Sequence, residues 1–230
     1  YRTKITIRSN HLPTRLMTID SNLKAIQSSL TDEVTLVAVS KTKPNTAILE
    51  AYKAGQRVFG ENKVQELVQK AEELPKDIAW HMIGHLQTNK VKFIAPFVSL
   101  IHGVDSLKLL KEINKRAEQN NKIIDCLLEV RIATESSKFG FGIEEVESAL
   151  NQAKEFKNIK IIGLMGMATF TDETQQVSQE FKSLKTVFDS IKNKDITTLS
   201  MGMSGDYKLA IEQGSTMIRV GSAIFGHRNK

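Results

Sequence analysis

Apolar residues along the chain follow two alternating spacings. Short apolar runs rich in Val, Ile and Leu are typical of buried strands, and between most of them apolar residues return every three or four positions, as on one face of a helix. The strand-like runs cover residues 34–39, 57–59, 78–83, 98–102, 123–130, 159–165, 197–201 and 216–220. Two of the helical faces are Leu107, Leu110, Ile113, Ala117 and Val177, Phe181, Leu184, Phe188, Ile191. This alternation predicts parallel strands joined by crossover helices.

The number of strand-like runs predicts a closed barrel. Eight parallel strands with intervening helices are typical of a (β/α)8 TIM-type barrel. A doubly wound open sheet is the alternative, because the run at 57–59 is short. An extra N-terminal helix is predicted from the spacing of Leu16, Ile19, Leu23, Ile26 and Leu30.

The chain is expected to form one domain. It contains no Pro/Gly/Ser-rich linker, so we assign residues 13–230 to a single barrel domain. Residues 1–12 are basic and contain no acidic residue, and we treat them as an N-terminal extension. That extension fits either a targeting remnant or a cloning artefact.

Composition and charge narrow the possible partners. The chain has 230 residues, of which 40% are hydrophobic and 25% charged, as expected of a folded protein with a sizeable core. Its net charge of +6 is compatible with nucleic acid or with an anionic ligand. Because Lys and Arg are nowhere interleaved with aromatic residues in a run, we expect the charge to be spread over helix faces and predict no nucleic-acid partner.

The single cysteine and the lengths of the apolar segments bear on metals, compartment and membranes. Cys126 lies inside the apolar run IIDCLLEV, which predicts a core residue in a reducing, cytoplasmic compartment. One cysteine excludes an intrachain disulfide and a multi-cysteine metal site, and we predict no metal. No apolar segment approaches the roughly 20 residues that span a membrane. We expect a monomer.

Polar residues and glycines follow nearly every strand-like run. In such barrels the site forms where the strands end and the βα loops begin. The eight segments at these ends are Ser40-Lys41, Gly60-Glu61-Asn62, residues 84–90, residues 103–106, Glu129 with Arg131, residues 165–170, residues 201–206 and residues 219–226. We therefore expect a site at this end of the barrel.

The segments after the seventh and eighth runs are candidates for binding a phosphate. MSGD contains Ser204 and Gly205, and VGSA contains Gly221 and Ser222. Gly/Ser-rich turns that lead into a helix present several N–H groups to an anion, and the loops after strands 7 and 8 of barrels often bind phosphate. The alternative is that Gly202, Gly205 and Gly221 only form turns.

Lys41 follows the first strand-like run, LVAV, which is expected to be buried. Burying a lysine without a partner is unfavourable, so Lys41 either points into solvent or meets an anionic or carbonyl ligand. With a phosphate site nearby, the ligand would be a phosphorylated aldehyde or ketone that forms a Schiff base with the amine. The amine must first lose its proton, which Lys43 would favour if it faced inward.

Six segments resemble one protein family. LVAVSKTKP, FGENKVQE, WHMIGHLQTNK, GLMGMA, LSMGMSGD and STMIRVGSAIFG span residues 36–226 and come in the order of the YggS/PROSC family of pyridoxal 5′-phosphate (PLP) homeostasis proteins. The resemblance implies a barrel like the N-terminal domain of alanine racemase, with PLP as the cofactor. It also implies transient contact with apo PLP-dependent enzymes as possible partners.

The resemblance also implies a role for each matching position. Lys41 would form the aldimine with PLP, and Asn62 would line the pocket near the ring. Ser204, Gly221 and Ser222 would bind the phosphate. Arg219 would face the pyridine nitrogen, and Met165 would pack near the ring. Apart from the resemblance, alternation along its strand-like run would point His81 into the barrel, where it would either face the ligand or be a hydrogen-bonded core histidine.

These implied roles favour a PLP carrier over an enzyme. An arginine can only donate hydrogen bonds, so Arg219 favours an unprotonated ring nitrogen and weak electron withdrawal. The resemblance implies that a racemase would need a second base from an additional domain, and the only tyrosines are Tyr1, Tyr52 and Tyr207. We therefore predict a PLP carrier or buffer without a dedicated reaction. The alternatives are a racemase-like PLP enzyme, a Schiff-base aldolase acting on a sugar phosphate, and an interaction protein that uses its basic surface.

Overall fold

The computed structural model describes residues 18–134 and 139–226, and it contains a closed barrel of eight parallel strands in the order β1 to β8. The strands are β1 (Thr35–Val39), β2 (Val58–Glu61), β3 (Ala79–Met82), β4 (Leu100–Val104), β5 (Ile124–Glu129), β6 (Ile159–Met165), β7 (Thr198–Ser200) and β8 (Met217–Val220). Because β1 pairs with both β2 and β8, the barrel prediction is confirmed and the open sheet was the wrong alternative.

Helices connect the strands around the outside of the barrel. They are α1 (Ile19–Gln27), α2 (Asn45–Lys53), α3 (Val64–Glu73), α4 (Val91–Ile94), α5 (Leu107–Gln119), α6 (Val146–Ala153), α7 (Thr174–Ile191), α8 (Tyr207–Glu212) and α9 (Ser222–Phe225). The predicted N-terminal helix is α1, which Thr18 caps by accepting a hydrogen bond from the Ser21 N–H. Leu16 and the proposed extension at residues 1–12 lie outside the described residues.

Two strands differ from their predicted positions. Gly60 and Glu61 were predicted to follow the second strand but form its last two residues, opposite His81 and Met82 of β3. Likewise, β4 begins at Leu100 and includes residues 103 and 104, which were predicted to follow it. In both cases strand pairing continues through Gly or a charged residue past the apolar run, because the backbone ladder and not side-chain polarity defines the strand.

The core has an outer layer and an inner layer. The outer layer packs the strands against the helices and includes Cys126, which is fully buried as predicted. The inner layer fills the barrel interior, mainly away from the carboxyl ends of the strands, with Val37, Leu100, Leu127, Met165 and Met217. None of the helices in the described ranges combines the length and the apolar composition that a membrane-spanning helix needs.

The barrel interior becomes polar one step closer to the carboxyl ends of the strands. Successive inward-facing residues of a strand are two positions apart. Two positions beyond Leu100, Leu127 and Met217 lie His102, Glu129 and Arg219 respectively, all of them buried. This polar layer forms the floor of the candidate site.

Candidate functional site

Arg219 of β8 is held inside the barrel by neutral oxygen atoms. Its Nη1 donates to the Ser200 carbonyl oxygen at 3.0 Å and to the Ser200 Oγ at 2.6 Å, and its Nη2 donates to the Gly166 carbonyl oxygen at 3.0 Å. Burial lowers the pKa of Arg219 to about 10, so the guanidinium stays charged at neutral pH. Three of its five N–H groups thus have acceptors among the described residues, and the other two can donate to a ligand.

Two histidines extend this hydrogen-bond chain across the barrel. His102 Nδ1 lies 3.1 Å from the Ser200 Oγ, and His102 Nε2 lies 3.0 Å from His81 Nδ1. We assign the directions from the donors that need acceptors: Arg219 donates to the Ser200 oxygen, the Ser200 proton goes to His102 Nδ1, and His102 Nε2–H goes to His81 Nδ1. The opposite direction would leave the Ser200 proton with no acceptor among the described residues.

Burial keeps both histidines neutral. It lowers the pKa of His81 to about 4. Burial lowers the pKa of His102 well below its ordinary value, with smaller contributions from His81 and the Arg219 guanidinium. Of the two interpretations of His81, the geometry supports the hydrogen-bonded interior histidine.

Glu129 is a buried carboxyl group in the same layer. It ends β5, which lies opposite β1 in the closed barrel. Burial, followed by the nearby Asp105 carboxylate, raises the pKa of Glu129 to about 7, against an opposing effect of Arg219. Glu129 can therefore gain or lose a proton near neutral pH.

The loops after β7 and β8 meet through Ser204. The Ser204 Oγ accepts hydrogen bonds from the Gly221 N–H at 3.1 Å and from the Ala223 N–H at 3.4 Å. A Cβ atom on Gly221 would come within 3.2 Å of the Val39 carbonyl oxygen, so a side chain here would crowd β1. This group of N–H donors and one hydroxyl has the composition expected of an anion site.

The backbone conformation at position 202 requires a glycine. Its φ is +96°, and a Cβ atom there would lie 2.6 Å from the Ala210 Cβ. The need for a turn therefore explains the glycine at position 202. At position 221 the φ is −118°, and the glycine is explained by the lack of space for a side chain.

Lys41 lies in a tight turn directly after β1. The Lys43 N–H donates to the Ser40 carbonyl oxygen at 3.0 Å, which places Lys41 and Thr42 at the centre of the turn. Because Ala38 of β1 pairs with Val220 of β8, this turn begins beside the Gly221 loop. Lys43 Nζ instead donates to the Phe225 and Gly226 carbonyl oxygens at 3.0 and 3.1 Å.

The other predicted residues lie around the same end of the barrel. Asn62 is half-buried directly after β2, where its backbone closely approaches Gly84. Ser222 is exposed at the start of α9. Met165 is almost fully buried in the inner apolar layer, one residue before Gly166, and its contact with a ring stays a prediction.

The polar side chains linked to Arg219, Ser200 directly and His102 through Ser200, were not predicted from the sequence. Ser200 and His102 both lie inside strands that were read only as apolar runs. The sequence did contain a signal for them: each is a polar residue at an inward-facing strand position, where alternation normally places an apolar residue. No group of three or more His, Cys, Asp or Glu residues that could hold a metal ion occurs in the part of the chain that the structure describes.

Comparison with known proteins identifies the family of this chain. Residues 15–229 match the family model described as alanine racemase, N-terminal domain. A pyridoxal phosphate homeostasis protein from Aquifex aeolicus is 41% identical over 197 residues, which cover 84% of this chain and 86% of that protein.

Solved structures agree with this relationship. PipY of Synechococcus elongatus PCC7942 superposes with a TM-score of 0.86 without PLP and 0.83 with PLP bound, at 35% and 34% identity, and each match covers 91% of this chain and 100% of PipY. An alanine racemase from Clostridium difficile 630 shares the fold, with a TM-score of 0.76 at 14% identity, and the match covers 94% of this chain and 58% of that enzyme. The chain belongs to the alanine racemase N-terminal domain family and, by its close relatives, to the pyridoxal phosphate homeostasis proteins.

Proposed function

We propose that this protein binds PLP as an aldimine on Lys41 and acts as an intracellular carrier or buffer of the cofactor. PLP carries a reactive aldehyde, and a reversible covalent bond in a pocket limits its reaction with other amines. The single observation that carries the proposal is the adjacency of the Lys41 turn and the Gly221–Ser204 loop at the paired ends of β1 and β8. An amine beside an anion site fits a phosphorylated aldehyde.

The residues around this pair fit the remaining parts of PLP. Arg219 has two N–H groups without an acceptor in residues 18–134 and 139–226, which suits an unprotonated pyridine nitrogen. The Ser204 hydroxyl suits a phosphate, because its oxygen accepts from the Gly221 and Ala223 N–H groups and its proton is left to donate. Asn62 lies at the same end of the barrel and can donate to the ring hydroxyl. The PLP-bound structure of PipY supports the same ligand.

The carrier function does not require a dedicated reaction. PLP withdraws electrons most strongly when its ring nitrogen is protonated, and a guanidinium that only donates disfavours that protonation. A racemase would need a second base, and Tyr52 does not fit that role, because its hydroxyl donates to an Asp77 carboxylate oxygen at 2.8 Å on the exposed surface. We place this function in the cytoplasm, where the buried free thiol of Cys126 is compatible with reducing conditions.

The test is to trap and locate the covalent adduct. The protein is incubated with PLP, reduced with borohydride and mapped by peptide mass spectrometry. The adduct is expected on the peptide that contains Lys41, and Lys41→Ala should lose it while remaining folded. Lys43→Ala is the matched control, because Lys43 Nζ is directed to the Phe225 and Gly226 carbonyl oxygens. An adduct found mainly on Lys43, Lys63 or Lys138 would reject the assignment.

One observation favours the racemase-like alternative. Glu129 can accept a proton near neutral pH from the strand opposite β1, so it could act as a second base. Exchange of the α-hydrogen of alanine with deuterated solvent distinguishes the two functions. A carrier exchanges it negligibly, whereas exchange at about 1–10³ per second, typical of enzymes, that is lost in Glu129→Gln would establish the enzyme.

A further inference from the structure

A charged cluster, buried at Glu61 and Lys70 and half-buried at Glu66, lies directly behind the Lys41 turn. Lys70 Nζ donates to Glu61 Oε1 at 2.7 Å, to Glu66 Oε1 at 2.9 Å and to the Ser40 carbonyl oxygen at 2.8 Å. These three bonds use all three N–H groups of the ammonium. The Ser40 hydroxyl donates to the same Glu61 oxygen at 2.6 Å. We call Glu61, Glu66 and Lys70 the Lys70 cluster.

The cluster holds both neighbours of Lys41 in the chain. On one side, Ser40 is fixed through its carbonyl and its hydroxyl group. On the other side, the Thr42 N–H donates to Glu66 Oε1 at 2.5 Å. Lys41 is therefore carried by a backbone that is anchored immediately before and immediately after it.

The backbone at Thr42 needs such an anchor. Its φ is +62°, while Lys41 has no positive φ, so the turn resembles type II. That turn normally takes Gly at this position, and a β-branched residue there is strained. The Thr42–Glu66 hydrogen bond offsets this strain and selects the conformation that determines where the Lys41 side chain begins.

The cluster is arranged in a way that stability alone does not explain. Lys70 occupies a buried position of α3 in line with Val64 and Leu67, where an apolar residue would pack without loss of hydration. Glu61 Oε2 is buried and, among the described residues, has no hydrogen-bond partner, which is unfavourable. A role in orienting the adjacent turn accounts for keeping these charges.

We propose that the Lys70 cluster is a positioning device for Lys41, in which Glu66 acts through the Thr42 N–H and Lys70 holds Glu66 and Ser40 in place. The inference rests on the proposed function, in which the Lys41 amine attacks the aldehyde carbon of PLP, forms a C=N bond and releases the aldehyde oxygen as water. The cluster directs the amine toward that carbon through the residues on either side of Lys41, Ser40 and Thr42.

The first measurement needs no ligand. Hydrogen exchange of the Thr42 amide is followed by NMR in the wild type and in Glu66→Ala, which leaves the buried Lys70–Glu61 pair intact. Exchange should accelerate about tenfold or more, as expected for loss of a hydrogen bond to a charged group. Glu72→Ala, on the exposed side of the same helix, is the matched control and should leave the exchange unchanged.

The second measurement follows the formation of the borohydride-trapped PLP adduct on Lys41. Glu66→Ala should slow it about tenfold, again the factor expected for one such hydrogen bond. Thr42→Gly in the Glu66→Ala background should recover much of this loss, because glycine adopts the positive φ without strain. A residue that contributed only general stability would not give this rescue.

The outcomes separate the two hypotheses. Adduct formation at the wild-type rate in Glu66→Ala would overturn the positioning role and leave the proposed function intact, whether or not Thr42 exchange changed. Absence of any Lys41 adduct in the wild type would overturn the proposed function and the inference together. Slower adduct formation without rescue by Thr42→Gly would reject the turn as the route of the effect.

Discussion

Two buried cations, Lys70 and Arg219, are held in opposite ways. Lys70 contacts two carboxylates, and its three N–H groups all have acceptors within the protein. Arg219 contacts only neutral oxygens, and two of its five N–H groups have no acceptor among the described residues. One arrangement is closed, and the other is open to a ligand.

This difference indicates that Lys70 is a structural cation and that Arg219 is a ligand-binding group. A cation whose donors are all satisfied gains nothing from direct contact with a ligand, so removing it first lowers the stability of the folded state and acts on the ligand only through the Lys41 turn that it holds. A cation with unused donors in a buried site is completed by a ligand that brings acceptors. We therefore expect substitution of Lys70 to alter stability most, and the groups at the barrel mouth to alter pH dependence and binding.

The largest expected effect is that of Lys70→Met on stability. The substitution leaves the buried Glu61 carboxylate without its cation, and breaking a buried ion pair in this way costs about 3–5 kcal/mol. The free energy of unfolding in urea should fall by this amount. Lys182→Met, at an exposed position of α7, should change it by about 0.5 kcal/mol or less.

A double variant tests the cause of this loss. Lys70→Met combined with Glu61→Gln removes both charges and should be more stable than Lys70→Met alone, because no unpaired buried charge remains. If Lys70→Met were no more destabilising than Lys182→Met, the description of Lys70 as a structural cation would be wrong.

The second expected effect is a change in pH dependence at Glu129, near the open cation. Its folded-state pKa of about 7 exceeds the ordinary value, so the folded protein binds this proton more tightly than the unfolded chain. The stabilisation is present at low pH and is lost as pH rises from about 4.3 through 7. Glu129→Gln should therefore exceed the wild type in unfolding free energy by about 3 kcal/mol at pH 8 and by less at pH 5.

The comparison of the two proteins isolates Glu129 from the histidines. Neutral burial of His81 gives the opposite trend, since its folded-state pKa is lowered to about 4 and its stabilisation grows as pH rises toward 6.5. That contribution is common to both proteins and cancels in their difference. Glu118→Gln, an exposed change of the same charge, is the control, and a difference between Glu129→Gln and wild type that did not vary between pH 5 and 8 would contradict the raised pKa.

The fold was largely predictable because it depends on local periodicity. The run at 159–165 coincides with β6, and the other strands are displaced by at most a few residues at their ends. The errors at β2 and β4 arose where Gly60, Glu61 and Gly103 continue a strand beyond its apolar run. Backbone pairing with a neighbouring strand causes this, and apolar spacing does not register it.

The site was predictable only in part, for a related reason. Lys41, Ser204 and Gly221 lie in the segments that follow β1, β7 and β8, where the order of elements locates them. Lys70 lies on a helix and meets Ser40 only through the tertiary fold. Its one sequence signal is a lysine at an apolar position of α3, where only the structure reveals Glu61 as the partner.

The smallest expected effect concerns Ser204, which binds through one hydroxyl group on a partly exposed loop. In the proposed complex it donates to the phosphate, and losing one hydrogen bond to a charged group costs about 1.5 kcal/mol, or about tenfold in affinity. Ser204→Ala should therefore weaken PLP binding about tenfold in a fluorescence titration, and Ser190→Ala on α7 should not. Pyridoxal lacks the phosphate and should bind more weakly than PLP. Its affinity should be equal in Ser204→Ala and in the wild type. Equal losses for PLP and pyridoxal would mean that Ser204 shapes the loop without contacting the phosphate, and Arg219 would then be the principal open donor of the site.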